Sequence, residues 1–190
     1  IGSESALKCA ASLSAQYASN LYNFVLLFKD NETWLMRWTQ TTTETSFERF
    51  QISPTKGCVS PLTVRVISIE TTNTKSEESS GVSRSTRLVA IWRVADGIYI
   101  SGGQPPQCVS RDIEPVFDQS VTPHVNLSMV SKETAFIVEV NGVNEYHWCW
   151  ASGSNTTLDK EYVLDLFTWQ WSEIDRTSGK YLQCGVEVRD

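Results

Sequence analysis

The chain is predicted to be all-β, with one or two short helices, and three observations predict that class. Apolar and polar residues alternate along several short segments, as they do on half-buried strands. Asp96-Gly97 and Asn141-Gly142 are two-residue turn signals, and the strands that such turns join are antiparallel. Eight to ten segments of strand length follow one another along the chain, with one or two helices. Successive hairpins favour an antiparallel meander that closes as a barrel over a sandwich.

The order of the elements follows from these patterns. Residues 3–18 predict a helix, because apolar residues recur there at i and i+3 or i+4. Residues 71–85 are small, polar and charged and predict an exposed loop, whereas residues 102–123 are rich in proline and predict irregular structure. Helix is the alternative for residues 163–171. The predicted strands are 21–28, 33–42, 46–52, 62–70, 88–95, 98–101, 135–140, 143–151, 163–171 and 180–188.

Bulk composition bounds the class of protein. A length of 190 residues fits one β-rich domain, 1–190, with a single sizeable core. Sixteen basic and 22 acidic residues give a net charge of −6, which argues against nucleic acid as a partner. No apolar run is longer than the five residues of 24–28, far fewer than the roughly 18–20 that span a bilayer.

Sequons and cysteines predict a secreted, extracellular glycoprotein. Asn31, Asn126 and Asn155 each begin an Asn-x-Ser/Thr sequence, and two of them fall in predicted turns. The five cysteines lack the spacing of a metal site, and disulfides are typical of the secretory pathway. The chain starts at Ile1 without a visible signal peptide, which predicts that a signal peptide has been removed or that the sequence is an excised segment.

An odd number of cysteines leaves one thiol without a partner if two disulfides form. Cys58 and Cys108 lie beside turn signals, and we favour a disulfide between them. Cys149 lies in a predicted strand, where it pairs with Cys9 or Cys184 or remains unpaired. An unpaired cysteine would be either buried or a covalent link to another chain in an oligomer.

Aromatic side chains dominate two predicted strands. Alternate residues of a strand share a face, so Tyr146, Trp148 and Trp150 point one way, while His147 and Cys149 point the other way. Three interpretations of the rings remain open: a packed core, a ligand cavity inside a barrel, or an exposed patch that docks a protein. The predicted ligand-binding residues are Trp34, Trp38, Trp92, Tyr146, Trp148, Trp150, Phe167, Trp169 and Trp171.

A barrel of the lipocalin type is the favoured architecture, although the chain lacks the Gly-x-Trp triplet with which lipocalins usually begin their first strand. Motifs for nucleophilic, phosphate-binding or zinc chemistry are also lacking, so no enzyme activity, catalytic residue, metal or cofactor is predicted. The predicted function is to carry a small, largely apolar ligand, such as a lipid, a pigment or an aromatic amine. The alternative is a protein-binding ectodomain or assembly subunit, such as a viral or parasite surface glycoprotein.

Overall fold

The computed structural model describes residues 5–17, 20–40, 45–73, 83–140 and 142–174. Nearly all of the regular structure in these residues is extended, which confirms the all-β class. The two helices are short 3₁₀ helices, at Arg111–Phe117 and Leu127–Lys132. The strands are β1 (Cys9–Tyr17), β2 (Asn20–Phe28), β3 (Thr33–Gln40), β4 (Thr45–Ser53), β5 (Ser60–Asn73), β6 (Ser83–Val94), β7 (Gly97–Ser101), β8 (Gln107–Cys108), β9 (Thr134–Val140), β10 (Val143–Trp150), β11 (Lys160–Asp165) and β12 (Trp171–Ile174).

The strands form three four-stranded sheets: sheet 1 (β1–β4), sheet 2 (β5–β8) and sheet 3 (β9–β12). Within each sheet the strands pair in chain order, and every pair is antiparallel. The predicted antiparallel meander is therefore confirmed. None of the three sheets closes into a barrel among the residues described, so the predicted barrel is not confirmed.

Sheet 2 contributes apolar side chains to two separate core clusters. Ala90, Trp92 and Val94 of β6 pack with residues of sheet 1, such as Leu26. Val89 and Ile91 point to the other face of the same strand and pack with residues of sheet 3. Burial on both faces explains why residues 88–92, Leu-Val-Ala-Ile-Trp, are continuously apolar instead of alternating with polar residues.

Both hairpins predicted from turn signals form. Val140 pairs with Val143 at the end of β9 and β10, and Gly142 adopts the positive φ of 81° that the turn requires. Val94 pairs with Gly97 at the end of β6 and β7, so the two turn residues are Ala95 and Asp96. This second turn therefore lies one residue earlier than predicted.

The predicted helix over residues 3–18 is wrong, because strand β1 begins at Cys9 and pairs with β2 along its whole length. Ala11 and Leu13 are buried in the core shared with sheet 2, whereas the alternate residues Ala10 and Ser12 are exposed. Small alanine and serine residues fit either structure, and residues four apart share a face in a helix and in a strand alike. Pairing with β2 therefore decides the conformation.

The predicted strand over residues 163–171 is confirmed for 163–165 and wrong for 166–170. Strand β11 ends at Asp165, and a turn leads to β12, in which Trp171 pairs with Leu164. The Asp165 carboxylate accepts hydrogen bonds from the backbone N–H groups of Phe167 and Thr168, at 2.7 and 3.0 Å. These bonds offer the backbone an alternative to a sheet ladder. Trp169 therefore lies in the turn, with a φ of 60°.

Two further predictions concern connecting segments. Strands β5 and β6 extend to Asn73 and from Ser83, so the predicted loop 71–85 is shorter than expected, and residues 74–82 lie outside the described part. The segment 102–123 contains the short β8 and the first 3₁₀ helix. The predicted strand 180–188 falls outside the described residues. Neither described helix is long and apolar enough to cross a membrane.

Candidate functional site

The aromatic residues of β10 point into the core between sheets 2 and 3. Tyr146, Trp148 and Trp150 are completely buried, and the rings of the two tryptophans stack with centroids 5.4 Å apart. Tyr162 of β11 stacks on Trp150 at 5.7 Å. Trp92 is equally buried on the opposite side of sheet 2, 4.8 Å from the ring of Phe28. These contacts fill the interior with rings, as a packed core does.

A buried charge pair lies beside these rings. Arg93 Nε is 3.2 Å from the Glu133 carboxylate, which also accepts a 3.0 Å hydrogen bond from Trp148 Nε1. Phe117 covers the guanidinium, with its ring centroid 4.5 Å away. Burial raises the pKa of Glu133 to about 7, and the nearby Arg93 partly opposes that rise. The pair joins β6 to the residue before β9. Both side chains are fully buried, so the pair offers no surface to a ligand.

A second set of rings lies on the outer side of sheet 1. Cross-strand register places Trp38 opposite Phe47, and these side chains are 62% and 66% exposed with ring centroids 6.4 Å apart. Trp34 is half-buried on the same face, and its Nε1 donates a 2.9 Å hydrogen bond to Glu32. We call this surface the outer aromatic face. Its apolar residues are Val25, Leu27, Trp34, Met36, Trp38 and Phe47, and Arg49 and Gln51 of β4 lie on the same face, opposite Met36 and Trp34.

The remaining predicted rings lie at the turn between β11 and β12. Phe167 is 80% exposed and Trp169 is 37% exposed. Trp171 is partly buried, and its Nε1 donates a 2.7 Å hydrogen bond to Val109 O. A positive φ is unfavourable for a residue with a bulky side chain and does not occur in a regular strand. The turn therefore directs the Trp169 indole differently from the side chain of a strand residue.

Trp169 forms one wall of a surface cleft of about 200 Å³. Ile69, Val89, Ile100 and Val109 give the cleft an aliphatic lining from sheet 2 and the segment after β8. The other lining residues are Arg87, Ser101, Gly102, Gln104, Pro105 and Gln107. Apolar walls with a few polar groups are typical of a site for a small molecule.

Arg87 is the charged residue of the cleft lining. Its Nη2 donates a 2.9 Å hydrogen bond to Gly102 O, which fixes the guanidinium against the loop after β7. A Cβ at Gly102 would lie 2.5 Å from Arg87 Nε, so glycine allows this close approach. A guanidinium carries five N–H donors, more than this bond uses. The cleft therefore combines an indole, aliphatic walls and a cationic donor.

His147 and Cys149 share the opposite face of β10 from the tryptophans, as predicted. His147 Nδ1 is 2.7 Å from Glu161 and Nε2 is 3.2 Å from Glu145, while its ring stacks on Phe136. Cys149 is buried in a small cluster under the second 3₁₀ helix. This burial gives the cluster a structural role, and no group of three or more metal-ligating side chains occurs in the described ranges.

The predicted disulfide between Cys58 and Cys108 is not seen, and no disulfide joins any two of the four described cysteines. The thiol of Cys58 instead contacts that of Cys9, and Cys108 Sγ lies 3.6 Å from Ser110 Oγ. Cys184 lies outside the described residues.

The sequon asparagines differ in their exposure. Asn31 and Asn155 are exposed in turns, whereas Asn126 is half-buried. Asn126 Oδ1 accepts a hydrogen bond from Ser128 N and caps the second 3₁₀ helix. Glycosylation at each of the three stays a prediction.

Comparisons with known proteins do not assign the chain to a family. No protein-family model matches the chain, and no curated protein matches its sequence. Functional inference therefore rests on the residues themselves.

Sequence reasoning placed Trp169 in a binding site but missed the other residues of the cleft. Arg87 stood just outside a predicted strand, and Gln104 and Gln107 lay in a segment predicted to be irregular. Ile69, Val89 and Ile100 carried only the signal of a strand, and Val109 lay in the segment predicted to be irregular. These residues meet because sheet 2, the loop after β7 and the turn before β12 pack together, and no local sequence pattern records that packing.

Proposed function

We propose that the protein is a non-enzymatic carrier that binds a small, largely apolar ligand with an anionic end in the cleft beside Arg87 and Trp169. The observation that carries the proposal is the composition of that cleft: aliphatic walls, one indole and one guanidinium around about 200 Å³. Aliphatic walls suit the apolar body of a ligand. The guanidinium fork matches a carboxylate.

The positive φ of Trp169 supports this assignment. Unfavourable backbone conformations persist only where the surroundings hold them, and they are concentrated at binding sites. The Asp165 carboxylate supplies that hold through its two hydrogen bonds to the turn backbone. An aromatic ligand stacked on the indole would gain contact area without further ordering of the loop.

In this proposal the ligand occupies a surface cleft and not the interior of a barrel. We infer that the sheets pack as layers, in the manner of a sandwich. Two observations favour layers: the rings of Trp148 and Trp150 are stacked and fully buried, and sheet 2 contributes to a core cluster on each of its faces.

The test is calorimetric titration with 2-naphthoate, an aromatic carboxylate, and with the uncharged 2-naphthamide. We expect 2-naphthoate to bind and Arg87→Met to weaken it about tenfold or more, because a charge-assisted hydrogen bond contributes about 1.5–3 kcal/mol. Binding of 2-naphthamide should be nearly the same in both proteins. Trp169→Gly, which keeps the backbone conformation accessible, should weaken both ligands.

Arg111→Met is the matched control, because Arg111 is exposed at the start of the first 3₁₀ helix and lies outside the cleft lining. Equal binding of 2-naphthoate by the wild type and by Arg87→Met would contradict the proposed role of the guanidinium. A failure of 2-naphthoate to bind at all would contradict the proposed ligand class.

The outer aromatic face supports a second candidate function, docking of another protein. Trp38 and Phe47 are large, exposed and adjacent, and exposed apolar patches mark interaction sites. Native mass spectrometry of protein from a secretory host separates the two functions. A bound small molecule favours the carrier, whereas an oligomer that Trp38→Ser and Phe47→Ser convert to monomer favours docking.

We also propose that the protein is a secreted glycoprotein. The exposure of Asn31 and Asn155 in turns supports this, because a glycosylated asparagine needs a surface position. Expression through a secretory pathway followed by peptide-N-glycosidase treatment should lower the mass, and Asn31→Gln and Asn155→Gln should each remove one glycan. An unchanged mass in the treated wild type would contradict the proposal.

A further inference from the structure

The segment before β5 is fixed tightly against the turn between β2 and β3. Cys58 N donates a 2.8 Å hydrogen bond to Lys29 O, and Trp92 Nε1 donates a 3.0 Å bond to Gly57 O. A Cβ at Gly57 would lie only 2.3 Å from Lys29 O, so only glycine permits this approach. These contacts place the side chain of Cys58 beside the end of β2.

Strand β1 brings a second cysteine to the same place. Cys9 is directly opposite Phe28, the last residue of β2, and Lys8 N donates a 2.8 Å hydrogen bond to Phe28 O. Cys9 and Cys58 therefore flank the consecutive residues Phe28 and Lys29. Both belong to the core cluster between sheets 1 and 2, and their thiols are joined by a hydrogen bond.

The two thiols have different surroundings. Cys58 is completely buried, whereas Cys9 is only partly buried and lies beside Lys8. The hydrogen bond from Cys58 lowers the pKa of Cys9, and the charge of Lys8 lowers it further, although burial opposes the change. The contact with Cys9, together with burial, raises the pKa of Cys58. Cys9 is therefore the more accessible and more readily ionised member of the pair.

We propose that Cys9 and Cys58 form a disulfide that ties β1 to the start of β5, and that exchange begins at Cys9. This proposal is independent of the carrier function, because neither cysteine lines the cleft. The bond would close a chain segment that includes all of β2, β3 and β4. Closing a long segment restricts the unfolded chain and so stabilises the fold.

The oxidant is a small-molecule disulfide such as oxidised glutathione. The Cys9 thiolate attacks one sulfur of the oxidant, forms a mixed disulfide and releases one glutathione thiolate. Cys58 then loses its proton to solvent and attacks the Cys9 sulfur, which releases the second glutathione thiolate. Two protein thiols are oxidised, one oxidant disulfide is reduced to two thiols, and two protons are transferred.

Peptide mapping tests the disulfide directly, because trypsin places each of the five cysteines on a different peptide. The full chain is equilibrated with oxidised glutathione, alkylated with iodoacetamide, digested and analysed by mass spectrometry. We expect the Cys9 and Cys58 peptides to be recovered as one linked species that reduction separates. Recovery of both peptides alkylated, or of Cys58 linked to Cys108, would overturn the proposal.

Single variants test the order of exchange. Cys58→Ser should retain one glutathione on Cys9, whereas Cys9→Ser should leave Cys58 unmodified because that thiol is buried. Cys108→Ser is the matched control and should keep the link between Cys9 and Cys58. Modification of Cys58 in Cys9→Ser at the rate seen for Cys9 in Cys58→Ser would overturn the assignment of Cys9 as the first thiol.

Discussion

Gly57 shows how one residue without a side chain positions several others. A Cβ at this position would lie within 2.4 Å of three backbone atoms of Lys29 and Asp30, none of which can rotate away. The segment would have to move, and the hydrogen bonds of Cys58 and Trp92 would be lost with it. The close packing of sheets 1 and 2 therefore depends on this glycine.

We predict that Gly57→Ala lowers the free energy of unfolding by about 2–4 kcal/mol, within the range for strained or overpacked core substitutions. Urea denaturation measures the loss. Gly153→Asn is the control, because Gly153 has a φ of 56°, which asparagine tolerates, and open space around it. Similar losses in the two variants would contradict the steric explanation.

Glu133 makes stability depend on pH. Burial raises its pKa from an ordinary 4.5 to about 7 in the folded chain, beside Arg93 and near Tyr146. Between these values the folded chain holds a proton that the unfolded chain has released. The contribution of Glu133 is therefore fully present below about pH 4.5 and is lost as the pH rises through about 7.

We predict that Glu133→Gln flattens the fall in stability between about pH 4.5 and pH 7. Urea midpoints across this range, for the wild type and the variant, measure the difference. The exposed Glu139 provides the control Glu139→Gln, whose profile should follow that of the wild type. A Glu133→Gln profile parallel to the wild type would show that this carboxyl does not titrate in the window.

At the scale of elements, the turn between β11 and β12 depends on one carboxylate. The backbone N–H groups of Thr168 and Phe167 lower the pKa of Asp165 by bonding to its charged form. We predict that Asp165→Ala speeds amide hydrogen exchange at these two residues and weakens 2-naphthoate binding, because Trp169 loses its support. Asp165→Asn retains an acceptor oxygen and should retain most of the protection. Unchanged exchange in Asp165→Ala would contradict this role.

Local sequence patterns predicted some elements and missed others for physical reasons. Strand β2 and the hairpin of β9 and β10 were predictable because apolar runs and the Asn141-Gly142 signal act locally. Strand β1 was not, since its alanine and serine residues become extended only by pairing with β2. Trp169 was wrongly predicted to lie in a strand. The turn before it is held by hydrogen bonds from backbone N–H groups to the Asp165 side chain, and such bonds leave no periodic pattern in the sequence.

At the scale of the whole molecule, the tryptophans divide into buried and exposed side chains. Trp148 is enclosed by Phe117, Trp150 and Tyr162, whereas Trp38 contacts Phe47 on the surface of sheet 1. Alternation along β10 predicted which side chains share a face. It could not predict that both faces are buried, because that depends on sheet 3 packing against sheet 2 on one side and under the second 3₁₀ helix on the other.

We predict that Trp148→Ala lowers the free energy of unfolding by about 3–5 kcal/mol, the usual loss for a large aromatic residue removed from a core. Trp148→Phe should lose less, because most of the ring contacts remain. Trp38→Ala should change stability by less than about 1 kcal/mol, since its side chain is mostly exposed. Urea denaturation of the three variants checks the order, and equal losses at Trp148 and Trp38 would contradict the assigned core.

The cleft is formed by tertiary packing, because its residues come from sheet 2, the loop after β7 and the turn before β12. The most direct test of the carrier proposal is a two-dimensional ¹H–¹⁵N spectrum of the tryptophan indole groups during titration with 2-naphthoate. We predict that the Trp169 signal shifts progressively, that the Trp38 signal stays in place, and that Arg87→Met reduces the Trp169 shift. A shift at Trp38 with none at Trp169 would contradict the account and would place the ligand on the outer aromatic face.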